Sequence, residues 1–146
     1  MKISEIYAPM SVGEIYDKVT ILIIKRDLIK DEKKLENIEK ECTVLFPIFE
    51  LVQEEGRRFD KEKEKELFDN LLAVNKEIWG QVDSMAEFSK EWEKILNQCM
   101  TYNLARVEKA SHLGIEVFNT NNKRAVIKKT IDEFYGCEIT EEKSCT

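Results

Sequence analysis

Three groups of residues in this sequence have the types and spacing that chemistry needs. The first is Glu14, Asp17, Lys18 and Lys25. At 100° per residue, Glu14, Lys18 and Lys25 fall within about 40° of one another on a helical wheel, with Asp17 beside them. Two carboxylates on one helical turn are what proton transfer or a divalent cation asks for, and the lysines are partners for an anion. The second group is Asn121, Asn122, Lys123 and Arg124, with Lys128 one turn behind. Arginine grips a phosphate or carboxylate through two parallel N–H bonds, which makes this the basic patch best suited to a small anion. The third is Asn75, Trp79 and Asp83, spaced i, i+4, i+8. A buried indole N–H needs an acceptor, and the flanking Asn and Asp can supply it.

Rigid carriers for these groups must be helices. Five Gly and two Pro are too few for the turns of a sandwich or barrel. The expectation is an all-α, single-domain antiparallel helical bundle of about five helices, spanning 1–146, with a short extended N-terminal lead-in ending at Pro9. Ser11-Val12-Gly13-Glu14 reads as a capping box that starts helix one, which runs to about Lys30. Asp31 can cap a second helix carrying Leu35, Ile38, Cys42 and Leu45, and Pro47 ends or kinks it. The apolar segment 46–52 is ambiguous in type, and Gly56 closes it. A third helix starts in the charged stretch 57–66 and places Leu67, Leu71, Val74, Ile78 and Val82 on one face. A fourth covers about 88–110, with Trp92, Ile95, Leu96, Cys99 and Met100 inward. Turns are expected at Gly114 and at 119–122, then a last helix over about 123–135 that buries Ile127, Ile131 and Phe134 and stops at Gly136. The tail 137–146 is expected to be mobile unless it packs back.

On this scheme two local rules are broken. Helix one is apolar on most sides, so its charges must be paired or face a cavity. Lys123 and Arg124 put cations where the start of the last helix is already positive, with Asn121 and Asn122 as its caps. An anion at that helix start would relieve the second conflict. Plainer readings exist for both: Glu14 completes a capping box and forms an i,i+4 pair with Lys18, and the basic start is simply solvated.

Bulk properties narrow the function classes. The chain has 146 residues, 42% hydrophobic and 36% charged, with a net charge of −6. That charge weighs against duplex nucleic acid. Ile21-Leu22-Ile23-Ile24 is far short of a bilayer span, and the first residues lack the regions of a signal sequence, so a cytoplasmic protein without membrane contact is expected. Cys42, Cys99, Cys137 and Cys145 are scattered and His112 is the only histidine, so no zinc spacing occurs; reduced thiols are expected.

Three stretches together resemble a family of small uncharacterised helical proteins from bacteria and phages. They are Ser11 to Leu22, Asn75 to Trp79 with Asp83, and Thr120-Asn121-Asn122-Lys123-Arg124 with Lys128. The family usually has Asp where this chain has Asn122, and an aromatic where it has Cys145. The resemblance covers nearly the whole chain, with extra length around 90–110. It implies a compact helical domain and no established activity, and gene neighbours in surface-polysaccharide synthesis hint at sugar-phosphate or nucleotide-sugar ligands.

The leading functional expectation is binding, with or without turnover, of a small phosphorylated ligand such as a nucleotide or nucleotide sugar in a polar pocket between helices. Lys25, Asn75, Trp79, Asp83, Asn121, Asn122, Arg124 and Lys128 would hold it, and Glu14, Asp17 and Lys18 are the catalytic candidates. No resident metal or cofactor is assigned. One alternative is a homo-oligomeric scaffold that pairs through apolar helix faces, with helix one suited to it. Another is a metal-dependent all-α phosphohydrolase using Glu14, Asp17 and the Asp83–Glu87 pair.

Overall fold

Ser11 opens the first helix as its type predicts. It is extended (φ −72°, ψ 161°), and its Oγ accepts the Glu14 N–H at 3.3 Å. The computed structural model describes residues 8–96 and 104–138 and assigns them three helices, α1 (Val12–Leu28), α2 (Glu32–Leu96) and α3 (Leu104–Tyr135). Asp31 caps α2, accepting the Lys34 N–H at 2.9 Å.

α2 is not straight. Asp60 has φ −153° and ψ 97°, and its carboxylate accepts the Lys63 N–H at 2.9 Å. That is N-cap geometry in the middle of an element. Phe49 and Phe68 would lie about 28 Å apart along one straight helix, yet their ring centroids are 5.6 Å apart. The chain therefore folds back at Asp60 into two antiparallel arms, 32–59 and 61–96. Gln53 and Arg57 of the first reach Glu64 of the second, at 2.9 and 3.3 Å.

α3 runs back along the second arm. Tyr135 sits at the level of Glu64, Thr120 at that of Gln81, and the Lys109 ammonium lies 5.7 Å from the centre of the Phe88 ring. α3 ends at Gly136, whose φ of 64° lets the Gly136 and Cys137 amides bond to the carbonyls of Glu133 and Asp132. α1 packs between the two arms and α3. Tyr16, Val19, Phe49, Leu67, Leu71 and Ile131 form the main core, and Leu22, Ile38 and Cys42 a second cluster beside it. Cys42 and Cys137 are both free thiols.

Three helices replace the expected five, for identifiable reasons. Pro47 lies inside α2 with its ring exposed, and the apolar row of Ile38, Cys42, Leu45, Phe46 and Phe49 continues on both sides of it. Packing carries the helix across one missing amide. Gly56 is no turn; a Cβ there would stand 2.1 Å from the Tyr135 hydroxyl oxygen, so it is a point of close approach. Gly114 and residues 119–122 lie inside α3. Thr120 and Asn121 donate to the carbonyls of Glu116 and Val117 one turn back, at 2.9 and 3.1 Å, instead of capping a new helix. The expected helix over 88–110 falls partly on α2, to Leu96, and partly on α3, from Leu104, with 97–103 outside the described residues. Cys99 and Met100 lie outside the described residues, as do 1–7 of the lead-in and 139–146 of the tail.

Helix one does not offer the free apolar face that the scaffold alternative asks of it. Tyr16, Val19, Leu22 and Ile24 are buried within the chain, and apart from Leu28 at the end of α1 the large exposed apolar side chains of the helices are on α2 and α3, among them Val44, Leu51, Ile115 and Phe118. No helix among the described residues is long and apolar enough to cross a membrane.

Candidate functional site

On α3, Thr120, Arg124, Lys128 and Asp132 recur every four residues and so share one side. On α1, Gly13, Asp17 and Thr20, spaced four and three, also share one side. The two helices run antiparallel, and the rows meet rung by rung. Asp132 Oδ1 accepts the Gly13 N–H at 2.7 Å. Lys128 Nζ donates to Glu14 Oε1 in a close ion pair. Arg124 grips Asp17 with two bonds, Nε to Oδ1 at 2.8 Å and a closer one to Oδ2. The second arm of α2 adds Asn75, whose Nδ2 donates to Asp17 Oδ1 at 3.0 Å and to Thr20 Oγ1 at 2.9 Å. Thr20 can accept because its own proton goes to the carbonyls of Tyr16 and Asp17.

Gly13 makes the approach possible. A Cβ there would sit 2.6 Å from the Lys128 carbonyl oxygen and 3.0 Å from Asp132 Oδ1. Glu14 does not close the capping box, because its carboxylate turns away to Lys128.

The cluster has a buried floor and an open edge. Side-chain exposure is 4% for Asp17 and 8% for Lys128, against 27% for Arg124 and 32% for Glu14. Burial pushes the Asp17 carboxyl up, but the bonds from Arg124 and Asn75 and the charges of Arg124 and Lys128 outweigh it. The net effect holds Asp17 below its usual range. Past Thr120 the row reaches Gln81 on α2, which donates to Thr120 Oγ1 at 2.9 Å and to Glu77 at 3.4 Å. Its other amide atom, Oε1, is buried with no partner among the described residues.

These contacts revise the expected electrostatics. Lys123 and Arg124 lie inside α3, so no helix dipole opposes them. The helix start that does border the cluster is that of α1, and its Gly13 and Glu14 amides are taken by Asp132 and Ser11. Glu14 and Asp17 already pair with Lys128 and Arg124, so no anion is required to balance charge.

Of the residues singled out from sequence, Glu14, Asp17, Asn75, Arg124 and Lys128 come together. Lys18 and Asp83 are exposed. Lys25, Trp79 and Asn122 are half-buried and take no part in the bonds that join the cluster. Asn121 binds the Val117 carbonyl. Asn75 gives its amide to Asp17 and Thr20 and not to Trp79. Asp83 and Glu87 are both exposed, and among the described residues no group of three His, Cys, Asp or Glu side chains gathers as a metal site would need.

Sequence reasoning missed Asp132, although it continues the four-residue spacing of Arg124 and Lys128. Tyr16 was not singled out either. The Tyr16 hydroxyl donates to the buried Glu64 Oε1 at 2.9 Å and lies 2.6 Å from the Tyr135 hydroxyl. With its one proton on Glu64, Tyr16 accepts from Tyr135. Burial pushes both phenols above their usual range, and the facing Glu64 pushes the same way.

No protein-family model, curated protein or solved structure matches the chain.

Proposed function

We propose that the chain binds a small phosphorylated ligand, of the nucleotide or nucleotide-sugar class, along the polar rows of α1 and α3 under Asn75. One observation carries this reading: a helical bundle of this size holds a multiply bonded polar cluster, with Asp17, Asn75 and Lys128 buried and Arg124 and Glu14 at its open edge. Buried ion pairs are stabilised poorly compared with well-packed apolar side chains, so the fold alone does not call for one. The three stretches that resemble the helical bacterial and phage family supply the same residues, which supports the reading.

The ligand phosphoryl oxygens take the place of Glu14 on Lys128 and meet the outer edge of Arg124, while Asp17 and Asn75 hold the guanidinium from behind. Preorganisation of this kind spares the ordering cost of a flexible cation. A hydroxyl or amine of the ligand donates to Gln81 Oε1, whose missing partner costs about 1–3 kcal/mol.

Calorimetry and thermal shift against nucleotides, sugar phosphates and inorganic phosphate test this. A ligand at 100 times its dissociation constant adds about 2.7 kcal/mol to stability. Glu14 competes with the ligand, so Glu14→Gln is expected to tighten binding roughly tenfold, about the worth of one charge-assisted bond. Arg124→Lys keeps the charge but loses the fork, and is expected to weaken binding by about 1.5–3 kcal/mol. A flat screen for both the wild type and Glu14→Gln overturns the proposal.

A further inference from the structure

α2 reverses direction through a single residue. Within 32–96 only Asp60 leaves helical φ/ψ, at −153° and 97°. Antiparallel helices are ordinarily joined by about two to five residues, and α1 joins α2 through 29–31. On either side of Asp60 stand Arg57-Arg58-Phe59 and Lys61-Glu62-Lys63-Glu64, with no Gly, Pro or β-branched side chain among them. Apart from the aromatic, these are strong helix formers. The cap at Asp60 is the one local feature that opposes a continuous helix.

The buried residues keep the phase of a straight helix through the reversal. On the first arm Ile38, Cys42, Phe49 and Gly56 are buried. On the second they are Glu64, Leu67, Leu71 and Asn75. Counted at 100° per residue with no allowance for the break, all of them fall within about 100° of one another. A hairpin has no need of this, since its turn can set two inner faces at any angle. A straight α2 carries the same residues as one unbroken stripe.

The reversal also divides the molecule into halves with contacts of their own. α1 goes with the first arm, through the Tyr16 and Phe49 rings at 4.9 Å and Arg26–Glu39 at 2.9 Å. α3 goes with the second arm, through Gln81–Thr120 at 2.9 Å and Lys109 over Phe88. Between the halves run Gln53 and Tyr16 to Glu64, and Asp17 to Asn75 and Arg124. None of these bonds needs both partners on one chain.

We propose that two copies of this chain exchange halves, Asp60 turning helical in each so that α2 becomes one rod. Exchange of identical elements is a low-cost route to a dimer where a short hinge joins them. The rods lie antiparallel about a two-fold axis beside the hinge. Phe49–Phe68 and Gln53–Glu64 both centre between residues 58 and 59, as such an axis requires. Each polar cluster is then built from two chains, with Glu14 and Asp17 from one copy and Asn75, Arg124 and Lys128 from the other. Straightening removes a helix end of each kind, with the backbone groups that such ends leave without an intrahelical partner. Against it stand the Asp60 cap and the cost of joining two chains, so concentration favours the dimer. The halves must part before they exchange, which ties the conversion to the rate of unfolding.

The test is to refold the full chain at high micromolar concentration, dilute it, and follow it by size-exclusion chromatography with small-angle scattering. Wild type is expected to give a dimer that reverts only as fast as the protein unfolds. Its longest dimension is expected to reach about 100 Å, the length of a straight 65-residue helix. Asp60→Ala removes the cap that holds the turn and is expected to strengthen the dimer roughly tenfold. Three glycines inserted after Asp60 lengthen the turn and interrupt the rod, and are expected to leave a monomer with unchanged helical circular dichroism. Wild type that refolds only to monomer overturns the proposal. So does a dimer that survives the insertion, one that dissociates at once on dilution, or Asp60→Ala that dimerises no better than wild type.

Discussion

Asp17 takes two bonds from Arg124 and one from Asn75, and protonation of its carboxylate removes the charge that strengthens them. Its folded-state pKa is depressed, so its contribution to stability is present above the ordinary carboxyl value of about 3.9 and is lost as pH falls through the lower folded-state value. Acid titration of the wild type should therefore show part of its unfolding below about pH 4. Asp17→Asn should remove that part and cost about 3 kcal/mol at neutral pH, since Arg124 loses its partner carboxylate. Equal acid sensitivity in the two proteins would count against the assignment. Gly13 gives a second residue-scale expectation. Gly13→Ala ordinarily favours a helix by up to about 1 kcal/mol, but here the added carbon meets the Lys128 carbonyl at 2.6 Å. The substitution should lower the denaturation midpoint, and a rise would refute the close contact. At this scale the sequence was readable in part. Glu14, Asp17 and the Arg124–Lys128 pair stand out by charge among apolar neighbours. Asp132 and Tyr16 do not, because their roles come from partners 119 and 48 positions away.

Among the elements, the signals that held were caps: Ser11, Asp31 and Gly136 each do locally what their side chains, or the lack of one, dictate. Breakers were weaker guides. Pro47 was overridden because an apolar row on either side of it keeps packing, and at Gly114 a helix of 32 residues absorbs the roughly 1 kcal/mol that one glycine costs. The true break, Asp60, carries an N-cap signal hidden in a charged run of Lys and Glu. Two expectations follow, both read by chemical denaturation. Gly114 makes no contact within 4 Å of where a Cβ would stand, so Gly114→Ala should stabilise the protein by about 0.8–1 kcal/mol. Asp60→Ala should destabilise it by about 1 kcal/mol through loss of the cap. If Asp60→Ala proved neutral or stabilising, α2 would not be folding back there.

In the whole molecule, protection should follow the limbs. Amides in 13–24, 64–80 and 120–132 lie where α1, both arms and α3 pack together, and should exchange most slowly with solvent. Those in 88–96 and 104–111, past the end of α1, should exchange faster. The helical class was legible from Gly and Pro counts and apolar spacing. The way the limbs are joined was not, because a reversal made by one capping residue leaves almost no trace in composition. That reversal also bears on the order of assembly. α1 with the first arm, and the first arm with the second, are neighbours in sequence and close cheaply. The rungs from Gly13 to Asp132 and from Asp17 to Arg124 join residues 119 and 107 positions apart, so α3 docks late. In stopped-flow measurements, changes at Asp17 or Arg124 should then speed unfolding and leave the folding rate nearly unaltered. A ligand held on those rungs would act as a latch on a finished fold, lengthening the life of the native state without hastening its arrival.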